Sequence, residues 1–232
     1  MPRKKPETLA PSSDLEIGRT LGLPDFFWVV GLDEVGRGCL AGPVVAGAFA
    51  FPSRHEWAED AITARVHDSK KLKAEERRAA LAQLSALPNA FLRTALATVE
   101  EIDRINILHA SLLAMDRALA DVLSLIEGLG GAAAAAPVFV RVDGNMLSPA
   151  VKRLPQPHCR EFVIKGDAKS FAIAAAAIAA KEHRDSLMSV LHRSYPAYAW
   201  NENVGYPTPG HKDALRAHGF TPWHRRSFNP QL

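Results

Sequence analysis

Trp28-Val29-Val30-Gly31-Leu32-Asp33-Glu34-Val35-Gly36-Arg37-Gly38 decides how this chain is read. Phe27 to Leu32 is a short, nearly unbroken apolar run closed by glycines, the pattern of a strand buried on both faces. Two carboxylates follow at its end, then a turn made by Gly36 and Gly38. Open α/β sheets bind ligands outside the carboxyl ends of their strands, so acids placed there are a first candidate site.

The flanking sequence extends the pattern. Pro43 to Phe51 reads as a second strand and Ser53 onward as a loop. Lys73 to Leu87 reads as a helix with Leu81, Leu84 and Leu87 on one face, stopped by Pro88. Phe91 to Val99 reads as a third strand. Ile102, Ile105, Leu108, Leu112, Met115, Leu119, Leu123 and Ile126 recur at helical spacing and predict one long helix over Glu100 to Glu127. Ala132 to Ala136 is a low-complexity linker, expected to be exposed. Val138 to Val142 and Cys159 to Ile164 are short strands, and Ser170 to Leu191 is an alanine-rich helix. The order predicts an α/β domain on a mixed sheet flanked by helices.

The composition suits this reading. Of 232 residues, 47% are hydrophobic and 23% charged, enough apolar surface for one domain with a small appendage. No apolar run reaches the ~18–20 residues a membrane span needs. Met1 to Ser13 lacks the apolar stretch of a secretory signal. Cys39 and Cys159 are too few for a disulfide scaffold or zinc cluster, so a cytoplasmic setting is expected. Whether they stay free thiols or form a reversible bridge is open. Net charge +3 permits a polyanionic partner without requiring one. Residues 1–24, led by Arg3, Lys4 and Lys5, read as a basic, polar, flexible tail: a solvated arm or a handle for nucleic acid. Residues 25–191 read as the main domain, and 192–232 as an extension of short helices and loops.

Two further strands end in acids, at Asp143 and at Asp167. A lone Asp in such a place more often caps a helix or forms a turn. Three coinciding at like strand ends point to one rim if the strands run parallel. Four gathered carboxylates repel unless a cation sits among them. An all-oxygen donor set suits Mg²⁺ or Mn²⁺, and two such ions about 3.5–4 Å apart support phosphodiester hydrolysis. Gly36, Gly38 and Gly42 loosely mimic a dinucleotide cradle. The last interval is four residues rather than three, and Pro43 opens a strand where that fold needs a helix. The glycines fit better with a backbone brought close to a ligand, as in reading a ribose 2′-hydroxyl.

Gly31 to Val45, reading GLDEVGRGCLAGPVV, closely resembles the opening motif of the type 2 ribonucleases H, the bacterial ribonuclease HII family. Asp68-Ser69-Lys70-Lys71-Leu72, Ile105-Asn106-Ile107 with Met115, Asp143-Gly144-Asn145 and Lys165-Gly166-Asp167 resemble later family motifs in order. So do Ala174 to Asp185, Gly205-Tyr206-Pro207-Thr208 with His211, and His224-Arg225-Arg226-Ser227-Phe228. The resemblance spans roughly Val29 to Phe228. Pro207 stands where a glycine is common, and the interval from Asp143 to Asp167 is long for the family.

The resemblance implies an RNase H-like fold: a mixed five-stranded sheet flanked by helices, with a helical C-terminal extension. It implies metal-dependent cleavage of RNA in RNA–DNA hybrids and incision 5′ of single ribonucleotides in duplex DNA, leaving 3′-hydroxyl and 5′-phosphate ends. Asp33, Glu34, Asp143 and Asp167 correspond to the catalytic, metal-binding carboxylates. Asp33 is expected to bridge the two ions, with Glu34 and Asp143 on one and Asp167 on the other. Gly36, Arg37 and Gly38 correspond to the loop at the RNA–DNA junction, and Tyr206 to the tyrosine that stacks on the deoxyribose beyond it. Lys70 and Lys71 either bind phosphate or are solvated. Asp185 either pairs with Lys181 one helical turn away or supports the metal site from behind. His211 and His224 either pin loops or touch phosphate. A monomer is expected. Rival readings are another RNase H-like nuclease of resolvase or transposase type, which would cut all-DNA substrates, and a non-catalytic hybrid-binding protein, which would tolerate loss of the acids.

Overall fold

The computed structural model describes residues 9–55, 66 and 72–228. Asp68, Lys70 and Lys71 lie outside the described residues. Among those described, β1 (Trp28–Val35), β2 (Val44–Pro52), β3 (Phe91–Ala97), β4 (Val138–Asp143) and β5 (Cys159–Val163) form one sheet in the order β3-β2-β1-β4-β5. The first three strands are antiparallel neighbours, while β1, β4 and β5 run parallel. Leu32 lies opposite Val142 and Asp143 opposite Val163. Asp33, Asp143 and the turn bearing Asp167 therefore leave the sheet at one rim.

Helices run as α1 (Pro11–Thr20), α2 (Ala74–Ser85), α3 (Val99–Gly128), α4 (Gly131–Ala135), α5 (Pro149–Arg153), α6 (Phe171–Ser194), α7 (Trp200–Asn203) and α8 (Pro209–His218). The alternation along β1 sorts its side chains between two layers. Trp28, Val30 and Leu32 pack with Met115, Leu119, Val122 and Ile126 of α3. Phe27 and Val29 pack with Phe49, Phe51, Phe139, Phe171 and the alanines of α6. A Cβ on Gly31 would stand 2.1 Å from the Ala172 carbonyl carbon, and one on Gly47 2.1 Å from the Ala176 carbonyl oxygen. Helix α6 thus touches β1 and β2 backbone to backbone, which only glycine and alanine permit. No helix among the described residues is long and apolar enough to cross a membrane.

Three expectations change. Helix α3 is not continuous. Asn106 breaks it at φ 65°, ψ 165°, and its Oδ1 accepts the Leu108 and His109 N–H groups at 3.0 and 3.1 Å, capping the second segment. The alanine linker forms the short helix α4, whose Ala133 carbonyl accepts the Trp28 indole N–H at 3.0 Å.

The expected flexible tail over 1–24 is, from Pro11 to Thr20, helix α1 docked on the core. Leu9 and Leu15 join the cluster around Phe27 and Phe171. Asp14 is fully buried, ion-paired with Arg141 of β4, and accepts the Ala172 N–H at the start of α6 at 2.9 Å. Arg141 also binds Glu161 of β5 at 2.7 Å. One acid ties the N-terminal helix to the strand carrying Asp143. Removing one partner of a buried ion pair strands the other charge. Asp14→Ala is expected to lower the unfolding free energy by about 3–5 kcal/mol, measured by urea denaturation.

Candidate active site

At the rim, the Asp33 side chain is buried and its Oδ1 accepts the Glu34 N–H at 2.7 Å. Asp143 ends β4, and its Oδ1 accepts the Gly166 N–H at 2.6 Å, drawing the β5 turn toward β4. That turn, the 3₁₀ segment Gly166–Ala168, holds the buried Asp167. Burial first, then repulsion from Glu34, Asp143 and Asp167, pushes the Asp33 carboxyl well above its ordinary value. Burial also raises Glu34, with a contribution from Asp143, against the pull of Arg37. The four acids singled out in the sequence therefore share one electrostatic site. Among the described residues no three His, Cys, Asp or Glu side chains are drawn in around a single point. An all-carboxylate donor set whose members repel one another fits hard divalent cations.

Asp33 and Glu34 open into a cavity of about 280 Å³ with Val35, Arg77, Ala177, Lys181 and Tyr206. Arg77, on α2, binds Glu182 at 2.8 Å and Asp185 at 3.4 Å, and donates to the Leu72 carbonyl. Asp185 also takes the Lys181 ammonium at 2.7 Å, the pairing that the helical spacing suggested. Arg37 is exposed, 3.2 Å from Glu34. Nothing in the sequence marked Arg77 as part of the site. Its position in α2, four residues after Lys73, carries no chemical signature.

Tyr206 comes from a loop between α7 and α8, far along the chain. The Gly205 carbonyl accepts the Leu40 N–H at 2.8 Å, joining that loop to the one after β1. A Cβ on Gly38 would lie 3.9 Å from Tyr206 Cε1. The structure thus brings Gly36–Gly38, Tyr206 and the acids together. The C-terminal segment closes the arrangement. Ala41 bridges His224, Gly42 donates to the Trp223 carbonyl, and Arg225 donates to the Leu40 carbonyl. The hydrophobic cluster beneath holds Leu40, Met188 and Leu191 with Tyr198, Trp200, Ala214 and Leu215. Packing therefore runs across the expected boundary at 191/192.

A family model described as Ribonuclease HII matches residues 30–230. The chain belongs to the ribonuclease HII family. It is 48% identical over 202 residues to ribonuclease HII of Salinibacter ruber, covering 86% of this chain and 90% of that one. Its fold is similar to the ribonuclease HII in a PCNA complex from Archaeoglobus fulgidus (TM-score 0.66, 20% identity, 89% and 97% of the two chains). It is also similar to a Bst ribonuclease HIII in complex with Mn²⁺ (TM-score 0.58, 18% identity, 83% and 63%). As a ribonuclease HII it is a metal-dependent endoribonuclease acting on RNA–DNA hybrids.

His211 and His224 pin this ribonuclease's Tyr206 loop. His224 Nδ1 accepts the Thr221 N–H at 2.9 Å, so its proton resides on Nε2, 3.0 Å from His211 Nε2. His211 Nε2 also accepts the Trp200 indole N–H at 3.2 Å, leaving its Nδ1–H to donate to the Tyr206 carbonyl at 2.9 Å. Both rings are needed neutral. Burial, then the neighbouring His211 and Arg226, holds His224 down to about 4, and burial lowers His211. The unfolded chain, with histidines near 6.5, takes up these protons first. Stability is therefore lost as pH falls from about 6.5, and the His224 share is spent by about pH 4. That share is about 3 kcal/mol. His224→Gln, which cannot titrate, is expected to flatten the fall in thermal midpoint between pH 7 and 4.5.

Proposed function

We propose that Asp33, Glu34, Asp143 and Asp167 hold two Mg²⁺ or Mn²⁺ ions, and that Gly36-Arg37-Gly38 with Tyr206 read an RNA–DNA junction beside them. The reading extends to incision 5′ of a single ribonucleotide in duplex DNA, leaving 3′-hydroxyl and 5′-phosphate ends. The observation that carries it is the cavity shared by Asp33, Glu34 and Tyr206, with Gly38 against the tyrosine ring. A sugar whose 5′ phosphate lies at the acids has its 2′-hydroxyl within reach of the glycine backbone, and the next sugar lies at Tyr206.

When bound, the ions supply Lewis acidity at the phosphate and a nucleophile at neutral pH. The chain's own groups orient the substrate. Exposed peptide groups around Gly38 exchange hydrogen bonds with a 2′-hydroxyl, which DNA lacks. The Tyr206 ring, partly exposed, stacks on the following deoxyribose and favours a sugar without that hydroxyl. Arg37 lies where it can leave Glu34 for a phosphate, a contact that positions a duplex without reading its sequence. Lys70 is proposed as a further phosphate contact on the strength of its motif. The free thiols of Cys39 and Cys159 suit a reducing compartment, and the proposed setting is a monomer in the cytoplasm.

The test uses three labelled duplexes with Mg²⁺ or Mn²⁺: DNA with one ribonucleotide, all-DNA, and a continuous hybrid. Cutting 5′ of the single ribonucleotide and in the hybrid, lost with chelator and absent on DNA, is expected. Cutting of the hybrid alone overturns the junction roles, and cutting of all-DNA points to a resolvase-like nuclease. Asp143→Asn should lower kcat by at least about a thousandfold with an unchanged thermal midpoint, equivalent to about 4 kcal/mol. Substantial turnover in that variant removes Asp143 from the metal set.

A further inference from the structure

Arg184, on α6, is fully buried. Among the described residues no carboxylate hydrogen-bonds to it. Its three nitrogens donate instead to three backbone carbonyls: Nε to Pro43 at 3.0 Å, Nη2 to Ala41 at 3.0 Å, and Nη1 to Val204 at 2.7 Å. The first two belong to the loop that follows Gly36–Gly38. The third precedes Gly205 and Tyr206. Its stem fills the space under Gly36, where a Cβ would meet Arg184 Nε at 2.2 Å. A second buried guanidinium, Arg225, completes the brace from the other side, donating to the Gly42 and Arg37 carbonyls at 2.9 Å each.

We infer that Arg184 is a positioning residue for ribonucleotide recognition: its guanidinium fixes the distance between the Gly36–Gly38 loop and Tyr206. The planar fork is what the task needs, because it reaches three acceptors in fixed directions, whereas an ammonium on a flexible stem does not. Neither loop alone can sense a junction. The glycine loop meets the sugar that has a 2′-hydroxyl and Tyr206 meets the one that lacks it, so discrimination depends on their separation. Displacing one reacting partner by about an ångström is enough to cost about a hundredfold. Cleavage of a continuous hybrid asks less of the separation, since every sugar of the cut strand carries the hydroxyl.

The inference rests on the junction roles proposed above, and the experiment separates the two. Arg184→Lys, Gly205→Ala and Tyr206→Ala are each assayed for kcat/KM on the single-ribonucleotide duplex and on the continuous hybrid, with thermal midpoints measured alongside. Gly205→Ala perturbs the same separation while leaving the Arg184 side chain itself in place. Its φ of +84° resists a side chain, and the new Cβ would lie 2.5 Å from the Ala41 carbonyl oxygen. Arg184→Lys and Gly205→Ala are each expected to lower the ratio of single-ribonucleotide to hybrid cleavage at least about tenfold. Equal losses on both substrates in the two variants overturn the inference and leave Arg184 a general scaffold residue. If Arg184→Lys fails to fold, the ratio in Gly205→Ala decides. An unchanged ratio in Tyr206→Ala removes the junction reading itself, and the positioning role falls with it.

Discussion

Helix α6 approaches the sheet so closely that its backbone, rather than its side chains, meets Gly31 and Gly47. Ala172 touches β1 at one level, Ala176 touches β2 four residues on, and Arg184 then lies under Gly36 and Met188 under Gly42. The helix is therefore a rigid bar of 24 residues laid along the direction of β1, about 36 Å long. Its first half is anchored by Asp14 and packed by alanines. Its second half presents Lys181, Glu182 and Asp185 around the acidic cavity and Arg184 beneath the loops. A wider residue at either glycine would lift the bar and displace all of these together.

That rigidity holds in place an arrangement that electrostatics opposes. Buried Asp33 sits among Glu34, Asp143 and Asp167, and its carboxyl is driven up accordingly. The fold answers in part with fixed dipoles. The Glu34 and Gly166 N–H groups point at Asp33 and Asp143. Among the described residues Arg37 lies 3.2 Å from Glu34, and its side chain is half exposed. Arg77 and Lys181 are already committed to Glu182 and Asp185. The remaining negative charge is what a divalent ion would find there.

The sheet was legible because period and punctuation agree: β1, β2 and most of β4 are apolar runs bounded by glycine, proline or acid, and the parallel ends align their carboxylates. Local spacing also sufficed for the Lys181–Asp185 pair, one helical turn apart. Helix α1 was not legible. Its anchor is a single buried Asp14, and Leu15 and Ile17 are too few apolar residues to outweigh a polar neighbourhood. The break at Asn106 was hidden by apolar residues at helical spacing on both sides of it. The sequence assigned Arg184 and Arg225 no role, because only tertiary structure supplies their carbonyl partners. His211 and His224 stayed open for the same reason: their roles depend on each other, Trp200 and the Tyr206 carbonyl.

Anchoring by carbonyls rather than carboxylates follows from where these arginines lie. A buried guanidinium is most readily satisfied by Asp or Glu. A further carboxylate here would add to the charge already crowding Asp33 and would offer the ions a competing ligand. Backbone carbonyls meet all three Arg184 nitrogens with dipoles alone, so Arg184 binds the loops without altering the acid count. Burial brings Arg225 down to about 10, which leaves it charged at neutral pH. The positive charges of both also face the loops over which a phosphate backbone would run. One pair of side chains can thus set loop geometry and favour a polyanion while leaving the carboxylates proposed as metal ligands uncommitted to either arginine.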